Sequence, residues 1–378
     1  MPEVMIPFNR SSVAGNELAY MAEAVAGEHI SGDGPFSRRC HELLERELGI
    51  RKAFLTTSCT HALEMSALLL QIQPGDEVIV PSFTFVSTAN AYVLHGARPV
   101  FADIRRDTLN LDENQLAEQI TPRTKAIVPV HYGGVGCHMD AILEIAGRHG
   151  IAVVEDNAHG LFGKYQGRML GTFGCMATLS FHESKNFTCG EGGALLVNDP
   201  QYLERAEIIR EKGTNRSRLF RGEVNKYTWM DIGSSYLPSD MLAGFLYGQL
   251  EARDVIQSSR RRIWEYYYAQ LQSWAMEHNV RLPMVPDDCE HTSHVFYLIM
   301  PSPEDRQALI AYLRSHGIYA VFHYLPLHLS EMGRKAAGKT ACCPVTEEIS
   351  SRLIRLPLFY SLTREEQEKI IETVMQFY

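Results

Sequence analysis

Lys185 lies in the run Ser180-Phe181-His182-Glu183-Ser184-Lys185-Asn186, between two apolar, strand-like segments, Ala177–Phe181 and Ala194–Val197. Glycines follow it closely in Cys189-Gly190-Glu191-Gly192-Gly193, and they let backbone or ligand approach. A lysine there is either a solvated loop residue or a buried amine with a task. Once its pKa is lowered, such an amine can form a Schiff base with an aldehyde. Asp156 ends Ile151-Ala152-Val153-Val154-Glu155-Asp156, the most apolar strand-like run, and His159 follows it. Ser58, Cys59 and Thr60 open a helix, where free N–H groups, hydroxyls and the positive end of the dipole suit an anion. Ser180 adds a hydroxyl, and Phe85, after the strand that ends at Val80, adds a flat apolar face. Each has a bland alternative: a helix cap at 57–60, a strand-end turn at Asp156, core packing for His159 and Phe85. Taken together they supply what pyridoxal 5′-phosphate requires. These are an amine for its aldehyde, a carboxylate for its ring nitrogen, a cradle for its phosphate and a surface for its ring.

The elements that must position these groups alternate from residue 51 onward. Strand-like runs at 53–55, 78–80, 99–101, 126–130 and 151–156 are separated by helical patterns at 61–72, 86–94 and 140–147. Uninterrupted apolar strands between helices predict a mainly parallel sheet covered on both faces. In such sheets ligands gather beyond the carboxyl ends of the strands, which selects Ser58–Thr60, Phe83–Phe85 and Asp156–His159. Before them, a turn-rich Gly32–Phe36 leads into a helix to Leu48 with Arg38 and Arg39 in its first turn, unfavourable for the dipole unless an anion lies nearby. Residues 201–245 are polar, basic and aromatic with little periodicity, as expected of a long functional loop. A single long helix is expected from Ser239 to about Gln272. Residues 280–378 then mix strands at 295–300 and 320–322 with helices at 305–316 and 364–378. The division that follows is a large α/β domain over 1–245 and a smaller α+β domain over 246–378, with the N-terminal segment able to pack on the smaller one.

Composition narrows the function classes. The 378 residues carry a net charge of −9, which argues against non-specific nucleic-acid binding. No apolar run reaches spanning length, and Met1–Met5 lack a basic, apolar leader, so a cytoplasmic, membrane-free protein is expected. The eight cysteines include no CxxC pair, so neither a disulfide framework nor a metal site is expected; Cys137-His138 lacks a second half. No G-x-G-x-x-G follows the first strand, which disfavours a nicotinamide oxidoreductase.

The motifs Val153–His159, Ser180–Asn186 and Gly190–Gly193 resemble those of the DegT/DnrJ/EryC1/StrS nucleotide-sugar aminotransferases, fold-type I pyridoxal phosphate enzymes. The likeness extends over essentially the whole chain, through Pro74–Val78, Pro81–Phe85 and His323–His328. Within the family, Thr57–Thr60, Arg210–Arg216, Lys226–Trp229 and Gly233–Tyr236 resemble the branch that makes dTDP-4-amino-4,6-dideoxygalactose.

This resemblance implies that Lys185 carries the cofactor and that Asp156 pairs with its ring nitrogen. His159 and Phe85 would flank or stack on the ring, and Ser58, Cys59, Thr60 and Ser180 would hold the phosphate. It implies a homodimer with composite active sites, in which Gly233–Tyr236 reach the neighbour's phosphate. Ser235 stands where many members have asparagine, and its shorter side chain bears on that contact. Asn157 stands where alanine is common. The reaction implied has two halves: L-glutamate leaves pyridoxamine 5′-phosphate, which then aminates a dTDP-4-keto-6-deoxy sugar for surface polysaccharide such as lipopolysaccharide O-antigen. Family members that act as dehydratases have histidine in place of the lysine, so Lys185 favours transamination. Candidates for the sugar nucleotide are Gly34, Pro35, Phe36, Arg216, Lys226, Tyr227, His323 and Tyr324. Amination at C3, a gluco product, or a regulator that binds the cofactor without turnover remain open.

Overall fold

A computed structural model describes residues 6–338 and 341–378; Met1–Met5, where no leader is expected, lie outside the described residues. The strands are β1 (Lys52–Thr56), β2 (Glu77–Pro81), β3 (Arg98–Ala102), β4 (Thr124–Ile127), β5 (Ala152–Asp156), β6 (Lys164–Tyr165) and β7 (Arg168–Met169), then β8 (Met176–Ser180), β9 (Gly193–Val197), β10 (Cys289–Glu290), β11 (Phe296–Ile299), β12 (Val321–Phe322) and β13 (Leu353–Leu356). Seven of them form one sheet in the order β1-β9-β8-β5-β4-β2-β3. β9 pairs antiparallel with both β1 and β8, and the remaining pairings are parallel. The expected mainly parallel sheet is therefore present, with one reversed strand directly after Lys185.

β2 and β9 are buried along their whole length, which requires cover on both faces. On one face Phe54, Val80, Val154 and Leu195 pack with Leu63, Tyr92 and Ile209 of helices Cys59–Leu69, Val86–Val93 and Leu203–Arg210. On the other, Leu55, Leu179 and Leu196 meet helices Pro35–Leu48 and Asp240–Glu251, while Ile79, Ile127 and Val153 meet helix Met139–His149. A further core gathers Tyr267, Phe296, Leu313, Ile354 and Ile370, and takes in Ile6, which bridges to Ile318. Its sheet, β11-β13-β12, and the small sheet β10-β6-β7 are antiparallel; β13 and the latter sheet carry too little periodicity to read from sequence.

Two helical expectations change. The helix from Ser239 is two helices, Asp240–Glu251 and Arg253–Glu277, because Ala252 leaves helical geometry at φ −81°, ψ 9°. Residues 201–245 are not wholly irregular: helices Leu203–Arg210 and Arg216–Phe220 occupy part of them, and the exposed stretch is confined to about 221–235.

The first-turn arginines also have an internal explanation. The fully buried Asp240 accepts from the backbone N–H groups of Phe36 (3.1 Å) and Ser37 (2.8 Å) and from the Ser37 hydroxyl (2.8 Å). A carboxylate from a neighbouring helix therefore supplies the anion that this N-terminus wants. Gly34 has no room for more, since a Cβ there would lie 2.3 Å from the Asp240 carboxyl carbon. Asp240→Ala would orphan these buried donors, and we expect it to lower unfolding free energy by about 2–4 kcal/mol, read from a urea midpoint.

Candidate active site

The carboxyl ends of β1, β2, β5 and β8 all point the same way, and the site lies beyond them. Gly193 is in register with Thr56 on one side and Ser180 on the other. A Cβ on Gly193 would lie 2.3 Å from the Ser58 carbonyl carbon and 2.4 Å from the Cys59 nitrogen. Glycine at this position thus lets the start of helix Cys59–Leu69 fold down beside Ser180. Ser58 caps that helix, its hydroxyl accepting from the His61 N–H at 3.1 Å. The Thr60 hydroxyl meets that of Ser87 at 2.8 Å, which joins two helix N-termini at one place. Free N–H groups, two hydroxyls and Ser180 make a cradle fit for a phosphate.

Asp156 closes the opposite side. Its Oδ2 accepts from the Thr88 hydroxyl at 2.8 Å and its Oδ1 from the Ala158 N–H at 3.2 Å. Burial pushes its pKa up, and those hydrogen bonds and the Lys185 charge only partly offset this. A buried carboxylate whose direct partners are neutral is suited to a protonated ring nitrogen. Burial also lowers the Lys185 pKa to about 8, against the opposing influence of Cys59 and Asp156. The same burial raises the Cys59 thiol far above its ordinary range, so it stays protonated. Amine, carboxylate and helix start thus lie within electrostatic reach of one another.

His159 is held flat and neutral. Its ring lies 4.2 Å from that of His294 at 28°, and its Nδ1 accepts from the Gly133 N–H at 3.3 Å. Burial, with Lys185 and Arg355 nearby, drives its pKa well down. A circuit of bonds ties this ring to the lysine loop. His294 Nδ1 contacts Asn186 Oδ1 at 2.8 Å, Asn186 donates to the Thr292 carbonyl at 2.8 Å, and the Thr292 hydroxyl donates to the His159 carbonyl at 2.7 Å. His323 and Tyr324 complete the wall: their rings stack at 3.5 Å, and Tyr132 OH lies 3.1 Å from His323 Nδ1.

The remaining candidates sit apart from this cluster or at its edge. Phe85 caps helix Val86–Val93 and is 58% exposed. Phe36 is buried between Tyr20 and Tyr247 with Arg39 over its ring, a core position. Gly34 is buried against Asp240 and Pro35 is exposed. Arg216 pairs with Glu211 at 3.3 Å and covers Phe220. Lys226 and Tyr227 lie exposed on the stretch that also presents Trp229, 81% exposed. Ser235 is exposed beside Tyr236, whose carbonyl accepts from the Thr57 N–H at 2.9 Å. Asn157 is structural: it donates to the Leu170 carbonyl at 3.0 Å.

Sequence reasoning missed Thr88, His294, Asn186, Tyr132 and Arg355. Thr88 and Asn186 had a usable signal in their nearness to Phe85 and Lys185. Among the described residues no group of three or more His, Cys, Asp or Glu could hold a metal ion, and no helix is long and apolar enough to cross a membrane.

Residues 12–375 match the model of the DegT/DnrJ/EryC1/StrS aminotransferase family. The spore coat polysaccharide biosynthesis protein SpsC of Bacillus subtilis is 32% identical over 377 residues, covering 98% of this chain and 96% of its own. Among solved structures, the aminotransferase TlmJ of Streptoalloteichus hindustanus superposes with a TM-score of 0.89 at 30% identity, covering 99% of this chain and 98% of its own. Spr1654 of Streptococcus pneumoniae, to which a sugar aminotransferase activity is ascribed, gives 0.91 at 25% identity in its pyridoxamine and pyridoxal phosphate forms; these cover 98% of this chain and 97–98% of their own.

Proposed function

The chain belongs to the DegT/DnrJ/EryC1/StrS aminotransferase family, and from that premise we propose that it transfers the amino group of L-glutamate to C4 of dTDP-4-keto-6-deoxy-D-glucose, giving dTDP-4-amino-4,6-dideoxy-D-galactose. It is a pyridoxal phosphate-dependent aminotransferase of fold type I. The observation that carries the residue assignment is the grouping of Lys185, Asp156 and the Ser58–Thr60 helix start at one end of the sheet, with the amine and carboxylate pKa values both displaced toward neutrality. The sugar acceptor is supported by the activity ascribed to Spr1654 and the polysaccharide role of SpsC. The C4 position rests on the likeness of Thr57–Thr60, Arg210–Arg216, Lys226–Trp229 and Gly233–Tyr236 to that branch. A homodimer that shares its sites suits the exposure of Trp229 and of Gly233–Ser235.

When bound, the cofactor supplies an electron sink that lets the carbon bearing nitrogen give up a proton. The protein's part is to hold and to move protons. Ser58, Cys59, Thr60 and Ser180 would hold the phosphate, which would bring the ring nitrogen to Asp156. Asp156 would keep the proton on that nitrogen. His159, its pKa driven well down by burial, would pack flat and neutral against one face of the ring. Lys185 Nζ, whose pKa burial lowers to about 8, would be the base that takes a proton from one carbon and returns it to another. Because the amine must be neutral to capture an aldehyde, the apo-protein should take up pyridoxal phosphate faster as pH rises through about 8. Stopped-flow absorbance would check this, and a rate flat across that value would mean that another group titrates.

The reading as a whole is tested by visible absorbance of the holoenzyme. The band should vanish with L-glutamate and return with dTDP-4-keto-6-deoxyglucose, and NMR of the product should place the amine axially on C4. A band that ignores glutamate removes the transaminase assignment. One that ignores the sugar, or a product aminated at C3, removes the acceptor alone.

A further inference from the structure

Three donors on one face of helix Arg253–Glu277 grip the loop between β10 and β11. Gln257 Nε2 donates to the Thr292 carbonyl at 2.6 Å, Arg260 Nη2 to that of His294 at 2.7 Å and Trp264 Nε1 to that of Val295 at 3.1 Å. Their spacing of three and four residues puts them on a single stripe of the helix. The loop so held is not relaxed. Ser293 takes a left-handed φ of 51°, unfavourable for a residue with a Cβ, and its buried hydroxyl has no hydrogen-bond partner among the described residues. Strain of this kind persists only where the surroundings over-determine a conformation, and it gathers at segments shaped for a task. What this loop delivers is the His294 ring, buried and stacked on His159.

The bonds around that ring fix where its proton sits. Asn186 Nδ2 donates to the Thr292 carbonyl at 2.8 Å, which turns Asn186 Oδ1 toward His294. An amide oxygen only accepts, so the His294 Nδ1 that meets it at 2.8 Å carries a hydrogen. Burial, with His159, Lys185, Arg260 and His323 adding to it, drives the His294 pKa well down, so the ring is neutral and its Nε2 is bare. Both ends of the Asn186 amide are therefore occupied, and Asn186 directly follows Lys185. On the other side, the Lys185 N–H donates to the His182 carbonyl at 2.9 Å. A lysine amine rides on a flexible four-carbon stem, so its placement depends on how firmly the backbone beneath it is held. We propose that His294 is a positioning residue for Lys185, holding the Asn186 amide so that the free amine keeps its place while it moves protons in both half-reactions. A stack on His159 alone would ask only for a flat ring, not for a donor aimed at Asn186 from a strained loop.

The proposal rests on the transaminase reading, and single-turnover absorbance of the holoenzyme separates the two. Wild type that ignores L-glutamate overturns the transaminase reading, and this assignment with it. If wild type responds, two substitutions divide the roles of the ring. His294→Phe keeps a ring against His159 but has no donor for Asn186. His294→Asn gives up the ring but sets an amide nitrogen as many bonds from Cβ as Nδ1 is. The maximal rate with L-glutamate should fall about 10–100-fold in His294→Phe, the scale of a small misplacement of a reacting group, and stay near wild type in His294→Asn. The half-saturating glutamate concentration should not move, and the step with the keto sugar should slow by the same factor. α-Deuterated L-glutamate should show a full primary isotope effect in His294→Phe, because proton transfer then limits the step. Asn186→Ala should cost as much, and both changes together no more. Histidine nitrogen NMR of the apo-protein adds a readout free of cofactor and turnover: His294 should be protonated at Nδ1. His294→Asn as slow as His294→Phe, a loss confined to one half-reaction, or an isotope effect that disappears in His294→Phe would each overturn the assignment. So would a wild-type His294 protonated at Nε2, which needs no variant to fold.

Discussion

Lys185→Ala is expected to lower steady-state turnover by roughly 10³-fold or more, since it removes both the amine that captures the cofactor and the base that moves the proton. Lys185→Arg should do no better, because a guanidinium keeps its proton at working pH. The cradle at Ser58–Thr60 and the Asp156 carboxylate remain in both variants, so pyridoxamine phosphate should still bind, measurable by fluorescence titration. The apo-protein should lose no stability. A lysine whose pKa falls from its ordinary value to about 8 on folding is penalised wherever it is protonated, fully below about 8 and not at all above the ordinary lysine range. The alanine variant should therefore melt at or above the wild-type midpoint at neutral pH. A variant that melts far lower would mean that the amine holds the β8–β9 connection together.

Asp156→Asn is the second large effect. Asparagine can keep the contacts to Thr88 and Ala158 but brings no charge to the ring nitrogen. We expect kcat to fall about 10²–10³-fold, the usual cost of removing a preorganised electrostatic partner, with cofactor still bound. The stability sign follows from the raised pKa. A carboxyl whose pKa is higher folded than unfolded favours the folded apo-protein below the ordinary carboxyl range, and that advantage is lost as pH rises through the folded value. At neutral pH the apo-variant should thus match or exceed wild type in melting temperature while losing activity. Unchanged activity would place the ring nitrogen elsewhere.

The parts of this site that lie at strand ends were legible because hydrophobic runs locate strands and parallel strands bring their carboxyl ends together. Lys185, Asp156 and Ser58–Thr60 are all of this kind. What pattern reading does not reach is the register of short, distant strands. Arg355 looks like one polar residue in an apolar run, and only its pairing with Tyr297 and Val321 turns it toward the site. His294 likewise depends on a loop that returns from the C-terminal half to meet Asn186. Phe36 illustrates the converse difficulty: a turn rich in glycine suggested an open loop, but the Asp240 carboxylate draws the following helix onto its neighbour and buries the ring. Composition told little about residues 201–245, where short helices are masked by charge.

The reversal of β9 bears on the order in which the protein assembles. The β8–β9 pair, with Lys185 between them, closes over the short connection 181–192, so it can form early. The phosphate cradle cannot, since β1 must find β9 across every other strand of the large sheet before Gly193 meets Ser58. A refolding chain should therefore acquire its reactive lysine before it can grip a phosphate. Pyridoxal, which lacks the phosphate, should label Lys185 in an early folding species, whereas retention of pyridoxal phosphate should appear only in the slowest phase.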